Sequence, residues 1–208
     1  MRTVILTWEY PPRIVGKLAA QASTLAAQLV KHGVETHVVT YHDTLTGVTD
    51  EPNGVKVTRV NNPVHSHVNV LTWALTLNQE VERAAANIYY QAGKHIDVID
   101  VHDWHFIPAA VTLKNALGIP FVYSVDSLED HRSPEANGPL NMAIRGVEWL
   151  GFYEAEGVTA KSEWMQSEIV RLYNVPKEKI KVITPATNHW VKNVLGIYRN
   201  TAGGAGSR

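Results

Sequence analysis

The chain has 208 residues, of which 45% are hydrophobic and 19% are charged, and its formal net charge is −1. This length supports one large domain with a full core, and the composition is that of a globular protein. The near-neutral charge and the lack of a Lys/Arg block exclude the electrostatic pattern of nucleic-acid and anionic-membrane binders. The absence of cysteine excludes disulfide scaffolds, thiolate zinc sites and cysteine nucleophiles.

The N-terminal segment lacks the pattern of a secretion signal. Its apolar run, residues 4–8, is short and is followed at once by Glu9, whereas a signal peptide needs a longer apolar region. No stretch approaches the roughly 18 consecutive apolar residues of a membrane-spanning helix. We therefore expect a soluble, cytoplasmic protein with no nucleic-acid or membrane partner.

Short β-rich runs alternate with helical patterns along the chain. Residues 4–8 predict a buried strand that ends before two prolines, and residues 18–32 predict a helix that Gly33 ends. The other predicted strands are 36–41, 55–60, 96–101, 120–125, 157–160 and 180–183. The other predicted helices are 70–92, 108–117, 141–153, 162–173 and 189–198. This alternation predicts an α/β fold with a doubly wound, mostly parallel sheet over residues 1–185.

The end of the chain has a different pattern. Residues 186–200 contain one amphipathic helix, which we expect to pack on the same domain. Residues 201–208 are rich in glycine and alanine, and their composition predicts a flexible tail.

The loop after the first strand is the first candidate site, because ligands of open α/β sheets bind beyond the carboxyl ends of the strands. Gly16 precedes a helix N-terminus, whose free N–H groups attract anions, and Arg13 and Lys17 add positive charge. The pattern fits a phosphate site, and it equally fits a helix-entry turn with solvated basic residues. No G-x-G-x-x-G follows the first strand, which argues against a dinucleotide-binding protein.

The second candidate site follows the strand 96–101, where His102, Asp103, Trp104 and His105 are consecutive. A stacked aromatic ring beside hydrogen-bonding groups favours a saccharide site. A metal site would need three or four convergent ligands, so we expect none. The structural alternative is core packing for Trp104 and a buried hydrogen bond for His102.

The third candidate is the loop after the strand 120–125, which contains Asp126, Glu129 and Asp130. Paired carboxylates could perform acid–base chemistry. The alternative is a solvated acidic loop.

Five motifs, in order along the chain, carry a family resemblance. They are Glu9-Tyr10-Pro11-Pro12, the Gly16 loop, His102-Asp103-Trp104-His105, Glu148-Trp149 and Ser162-Glu163-Trp164-Met165. Over about residues 1–185 they resemble the N-terminal, acceptor-side Rossmann-like domain of glycogen/starch synthase-like glycosyltransferases. These are retaining enzymes of the GT-B architecture, in which two such domains face each other across a cleft and the C-terminal one binds most of the donor.

The resemblance implies a nucleotide-glucose donor, an α-glucan acceptor and no cofactor. It implies a catalytic position at Asp126, where the family has a histidine near the transferred sugar. It implies substrate-binding roles for Glu9, Arg13, Gly16, Lys17, Asp103, Trp104 and His105. The segment 189–199 resembles the helix that crosses back from the donor lobe in this family.

Several residues depart from the family pattern. Lys17 stands where a second glycine is usual, and the Asn-Gly after the last strand is absent. An aspartate at 126 would repel a departing diphosphate, where a histidine could donate a hydrogen bond. Two accounts fit these changes: a natural half-protein that lost catalysis, or an isolated lobe re-surfaced where its partner domain stood.

The function predicted from the resemblance is that of an isolated acceptor-side lobe. Its parent reaction transfers glucose from ADP-glucose or UDP-glucose to the 4-hydroxyl of an α-glucan, and we expect this chain alone to be inactive. The alternative is a non-catalytic glucan-binding or scaffold module. As partners we expect a separate donor-binding lobe or weak self-association.

Overall fold

The structure is a computed structural model that describes residues 1–51 and 53–204. The strands of this part of the chain are β1 (Arg2–Thr7), β2 (Glu35–Tyr41), β3 (Gly47–Asp50), β4 (Lys56–Val60), β5 (Val98–His102), β6 (Phe121–Val125), β7 (Gly157–Ala160) and β8 (Ile180–Val182). The helices are α1 (Lys17–Lys31), α2 (Val70–Gln91), α3 (Ile107–Leu117), α4 (Glu129–Arg132), α5 (Pro139–Glu154), α6 (Glu163–Tyr173) and α7 (Trp190–Gly204). Single 3₁₀ turns lie at Trp104–Phe106 and Lys177–Lys179.

The strands form one sheet in the order β3-β4-β2-β1-β5-β6-β7-β8. Within the described residues every neighbouring pair is parallel except β3 with β4, which is antiparallel. The chain runs outward in one direction from β1 through β2 and in the other from β5 through β8. The predicted α/β fold with a doubly wound, mostly parallel sheet is confirmed, and its switch point lies between β1 and β5.

Alternation along the strands supplies one apolar layer to each face of the sheet. Val4 and Leu6 of β1 pack with helices α2, α3, α5 and α6, while Ile5 between them packs with α1 and α7. Tyr198 of α7 is fully buried in this second layer. The final helix is therefore part of the domain core.

Three elements differ from the sequence predictions. Strand β3 was not predicted, because it is an exposed edge strand without an apolar face. Helix α4 was predicted as a loop, because its four residues are too short to show helical periodicity. Helix α7 continues to Gly204, so the predicted flexible tail is wrong for residues 201–204: Thr201 is buried beside Gly157. The rest of that tail, residues 205–208, lies outside the described residues.

Among the helices of the described residues, none has the length and apolarity needed to cross a membrane.

Candidate functional site

A cavity of about 460 Å³ lies beside the switch point, at the carboxyl ends of β1, β5 and β6. The N-terminus of α1, the start of α2 and the α4–α5 segment complete its walls. It brings together seven of the residues predicted for the site, which are Glu9, Gly16, Lys17, Asp103, Trp104, His105 and Asp126. This volume is within the usual range for a small-molecule site.

Glu9 organises the loop before α1. Its side chain is buried, and its carboxylate accepts hydrogen bonds from the backbone N–H groups of Val15 at 2.6 Å and Gly16 at 2.7 Å. Gly16 is the N-cap residue of α1, and a Cβ there would lie 3.4 Å from Glu9 Oε1. The carboxylate thus takes two donors that a bound phosphate would use, so an anion would have to displace it or bind deeper in the first turn.

Arg13 lies outside the cavity wall and packs against aromatic rings. Its guanidinium carbon is 5.1 Å from the ring centroid of Trp8 and 5.0 Å from that of Tyr41. Its Nε is 3.7 Å from a carboxylate oxygen of Asp43. Through these contacts the Arg13 guanidinium holds the Trp8 ring in place, and it does not face the cavity.

His105 is stacked between two indole rings. Its ring centroid is 4.8 Å from that of Trp8, with 19° between the planes, and 4.2 Å from that of Trp104, with 24° between the planes. The guanidinium carbon of Arg132 lies over Trp104, 5.9 Å from the ring centroid. Arg13, Trp8, His105, Trp104 and Arg132 therefore form a continuous stack, the aromatic column, which joins the β1 loop to the β5 end and to α4.

The aromatic column keeps His105 uncharged. Burial, together with the positive charges of Arg132 and Arg13, lowers the pKa of the His105 ring to about 3. Within the described part of the chain, its Nδ1 is enclosed and has no hydrogen-bond partner. The neutral His105 ring thus turns its edge, and neither of its faces, toward the cavity.

Asp103 is a strained acid in the same wall. Its backbone has φ 64° and ψ −178°, a region that costs a non-glycine residue about 1–3 kcal/mol. Ser127 Oγ donates to Oδ2 at 3.2 Å, while the other oxygen, Oδ1, has no hydrogen-bond partner among residues 1–51 and 53–204. Burial raises the pKa of this carboxyl, against the lowering effect of Arg132. A strained backbone and a buried oxygen that has only a 3.7 Å ion pair with Arg132 make Asp103 a candidate functional residue.

Arg132 ties α4 to α5 behind the cavity. It donates to Glu148 Oε1 at 2.6 Å, to Glu129 Oε2 at 3.1 Å and to Ser127 Oγ at 2.6 Å. Glu148 is fully buried and also accepts from Tyr173 OH. Burial raises the pKa of Glu148 to about 7, although Arg132 and the Tyr173 hydrogen bond oppose the rise.

The sequence analysis did not predict Arg132 and Glu148 as members of this network. The available signal was the position of Glu148, four residues after Ile144 on the apolar stripe of α5. A carboxylate on a buried stripe needs a partner, so it indicates a buried polar network.

Asp126 forms a close ion pair with Lys161. Burial lowers the pKa of this lysine. The carboxylate lies between the main cavity and a smaller one of about 40 Å³ next to Trp190. Lys161, which was not predicted as a site residue, therefore reduces the charge that Asp126 offers to a ligand.

His102 makes the buried hydrogen bond that the sequence analysis gave as its structural alternative. Its Nε2 is 3.2 Å from Asp100, which also accepts from Ser124 Oγ at 2.6 Å and from Tyr198 OH. Burial alone would raise the pKa of Asp100, but His102 and these hydrogen bonds together lower it. Asp100 thereby anchors α7 to the central strand β5. In the described ranges, no three His, Asp or Glu side chains converge to hold a metal ion.

A doubly wound sheet with its cavity at the switch point is the architecture of one Rossmann-like lobe of a GT-B glycosyltransferase. The chain belongs to glycosyltransferase family 4, whose family model matches residues 18–189. The resemblance drawn from the five sequence motifs is thereby confirmed.

Two curated relatives cover most of the chain. The uncharacterized glycosyltransferase MJ1607 of Methanocaldococcus jannaschii is 37% identical over 192 residues, 91% of this chain and 47% of that protein. The glycogen synthase of Mycobacterium tuberculosis is 25% identical over 197 residues, 88% of this chain and 47% of that protein. The chain thus spans about half the length of the curated relatives it matches.

Solved structures share the fold at low sequence identity. A chain of Thermosynechococcus elongatus named sucrose-phosphate synthase 27_220_406_426 gives a TM-score of 0.66 at 13% identity and covers 98% of both chains. Anabaena HepE, solved in complex with UDP-glucose, gives a TM-score of 0.56 at 17% identity over 95% of this chain and 50% of that one. At these identities the likeness is one of fold.

Proposed function

We propose that this chain is the acceptor-side lobe of a retaining glucosyltransferase of the glycogen/starch synthase type. The parent reaction moves glucose from a nucleotide-glucose donor to the 4-hydroxyl of an α-glucan. The part of this lobe is to hold a saccharide in the cavity at the ends of β1, β5 and β6. Alone it transfers nothing, because in this architecture the donor nucleotide is bound mainly by a second lobe.

The observation that carries the proposal is the uncharged aromatic wall of the cavity, beside buried polar atoms that make no hydrogen bond within the described residues. His105 is neutral and stacked on Trp104, and Asp103 keeps one oxygen without a hydrogen-bond partner in the described residues. Sugars combine apolar ring faces with many hydroxyl groups, which suits such a wall. A phosphate finds two of the loop donors already bonded to Glu9.

The connection between β8 and α7 supports a single-lobe arrangement. Only residues 183–189 join the two elements, and α7 packs against β5 and β6. In the family that the sequence resembles, the corresponding helix comes back from the donor lobe.

A thermal-shift titration tests the proposal. Maltooligosaccharides should raise the melting temperature in a concentration-dependent way, because a ligand that binds only the native state stabilises it. ADP-glucose and UDP-glucose are tested in parallel, with lactose as the control sugar. If no maltooligosaccharide raises the melting temperature, saccharide binding is contradicted. Turnover of either nucleotide sugar by the pure protein would contradict the expected inactivity.

The second candidate function is a non-catalytic glucan-binding or scaffold module. It is favoured by the aspartate at position 126, where the family that the sequence resembles has a histidine: even with its charge reduced by Lys161, this carboxylate cannot donate the hydrogen bond that would stabilise a departing diphosphate. Such a module should bind glucan equally with and without a nucleotide sugar, in the unmodified sequence and in Asp126→His. Donor-dependent glucan binding in Asp126→His would instead support a lobe that lost catalysis.

The rim of the cavity offers an apolar face to a second protein body. Ile14 is 66% exposed, Val15 is 60% exposed, and Val15 and Val70 also line the cavity. Exposed aliphatic groups gathered at a cleft favour association. We expect docking to a donor-binding lobe, or weak self-association in its absence. Sedimentation over a range of protein concentrations measures the latter, and Ile14→Glu should reduce it.

A further inference from the structure

The two faces of the His105 ring are inaccessible to a ligand. Trp8 covers one face at a centroid distance of 4.8 Å, and Trp104 covers the other at 4.2 Å. A ligand can therefore meet this residue only at the edge of the ring. The Nδ1 part of that edge is enclosed, whereas His105 as a residue lines the cavity. The accessible part of the edge is the one that carries Nε2.

The enclosed Nδ1 determines which ring nitrogen carries the proton. A neutral imidazole has one N–H and one bare nitrogen. A buried N–H without an acceptor is rarer and costlier than an acceptor that lacks a donor. Among the described residues Nδ1 has no partner, so it is the bare nitrogen and Nε2 carries the hydrogen.

The surroundings of the ring oppose a second proton. Arg13 and Arg132 close the two ends of the aromatic column, and both disfavour an imidazolium between them. Asp103, two residues away, is one of the acidic groups that line the same cavity, with Glu9, Asp126 and Glu129, and Arg132 lies 3.7 Å from its Oδ1. The charges facing His105 thus leave it uncharged.

We propose that His105 is a fixed, neutral hydrogen-bond donor that presents Nε2–H to an oxygen atom of the ligand in the cavity. The chemistry that this donor recognises is a hydroxyl or ring oxygen of an uncharged saccharide. The inference deepens the proposed function and rests on it for the presence of a saccharide.

The direction of this donor is set before any ligand arrives. Stacking on both faces fixes the ring plane, and the carbonyl of His105 accepts a hydrogen bond from Asn78 Nδ2 at 2.8 Å. Asn78 in turn accepts from the backbone N–H of Ala109 at 2.8 Å, which ties the 3₁₀ turn to α2 and α3. A donor that is already oriented loses little conformational entropy on binding.

The first test is nitrogen NMR of the ¹⁵N-histidine-labelled chain between pH 5 and 8. His105 should show the Nε2–H tautomer unchanged over this range, with the exposed rings of His65 and His189 as internal comparison. Addition of maltotriose should shift the Nε2–H signal of His105. An Nδ1–H tautomer, or protonation of His105 within this range, overturns the proposal.

Two variants separate the donor from the packing role of the ring. The amide nitrogen of His105→Gln reaches the position of Nε2, whereas that of His105→Asn reaches only the position of Nδ1. Maltotriose affinity should fall about tenfold in His105→Asn and change little in His105→Gln, in line with the loss of one hydrogen bond. The melting temperatures of both variants show whether either has lost the fold.

The outcomes distinguish this inference from the proposed function. If maltotriose stabilises the protein but leaves the His105 signals unshifted, the donor role is overturned and saccharide binding stands. If the two variants lose affinity equally while folded, the donor role is likewise overturned. If no maltooligosaccharide stabilises the protein, the proposed function fails, and the recognition of a saccharide by His105 fails with it.

Discussion

Glu9 and Gly16 are joined by a hydrogen bond in which the backbone N–H of Gly16 donates to the Glu9 carboxylate over 2.7 Å. Glu9 lies just after β1, and Gly16 is the N-cap residue of α1. An internal carboxylate occupies the turn at which a Rossmann-like lobe ordinarily meets an anion. This contact therefore stabilises the folded loop before α1 rather than a bound ligand.

Removal of the Glu9 carboxylate should destabilise the protein. We expect Glu9→Ala to lower the free energy of unfolding by about 1–3 kcal/mol, because the Val15 and Gly16 N–H groups lose a charged acceptor. Glu9→Gln keeps one acceptor and should cost less. Urea unfolding measures both, with the exposed Glu163→Gln as the control. Equal stability of Glu9→Ala and the control would contradict the role of this contact.

Two glycines of α5 give a matched pair for packing. A Cβ on Gly151 would lie 2.7 Å from Ile107 Cδ1 and 3.0 Å from Tyr123 Cδ1, so Gly151→Ala should cost about 1–3 kcal/mol through overpacking. Gly146 has open space at the same atom, so Gly146→Ala should gain about 0.5–1 kcal/mol of helix propensity. Thermal unfolding of both variants checks the opposite signs. A gain for both would mean that the α3–α5 contact adjusts freely.

The contribution of the Tyr198 hydroxyl to holding α7 on the sheet should be measurable. Tyr198→Phe removes the donor to the buried Asp100 while it keeps the ring, so we expect a loss of about 1–3 kcal/mol in the free energy of unfolding. Tyr153→Phe, at a 68% exposed position, is the control and should change stability by less than about 0.5 kcal/mol. Indistinguishable unfolding of the two variants would contradict the anchoring role.

Glu148 should make stability depend on pH. Its pKa rises from the ordinary 4.5 to about 7 in the folded protein, so the folded state binds more protons than the unfolded state between these values. The stabilising contribution is therefore fully present below about pH 4.5 and is lost as the pH rises through about 7. Glu148→Gln cannot titrate, so its stability should change less between pH 5 and pH 7.5. Urea unfolding at the two pH values measures the difference, and an unchanged dependence would contradict the assignment.

The sheet was predictable because its strands are buried on both faces and carry near-continuous apolar runs. Strand β5 and its polar end at His102 to His105 are visible in the printed sequence as such a run followed by polar and aromatic residues. Strand β3 was not predictable, since its exposed residues pair with β4 without burying an apolar face. Helix α4 depends on contacts of Arg132 and Glu129 with α5 rather than on its own sequence.

The sequence was sufficient to predict which strand ends form the candidate site, but not the side-chain contacts between them. Topology places the ends of β1 and β5 side by side, which is why Glu9 and His105 line one cavity. The stacking of Trp8 on His105 joins residues that are far apart in the chain, and no local pattern predicts it. The placement of Arg13 behind Trp8 depends on the same three-dimensional contact. The role of Asp126 stays a prediction, as do the ligand contacts of the other site residues.

Helix α7 has a consequence for the order in which the domain is completed during synthesis. It covers the part of the second apolar layer at Val98 of β5 and Val122 of β6, while α1 covers the part at β1 and β2. Until residues 190–204 leave the ribosome, the β5 and β6 part of that layer faces water in the nascent chain. The growing protein is thus most prone to aggregation just before α7 appears, which is when a chaperone would bind it best.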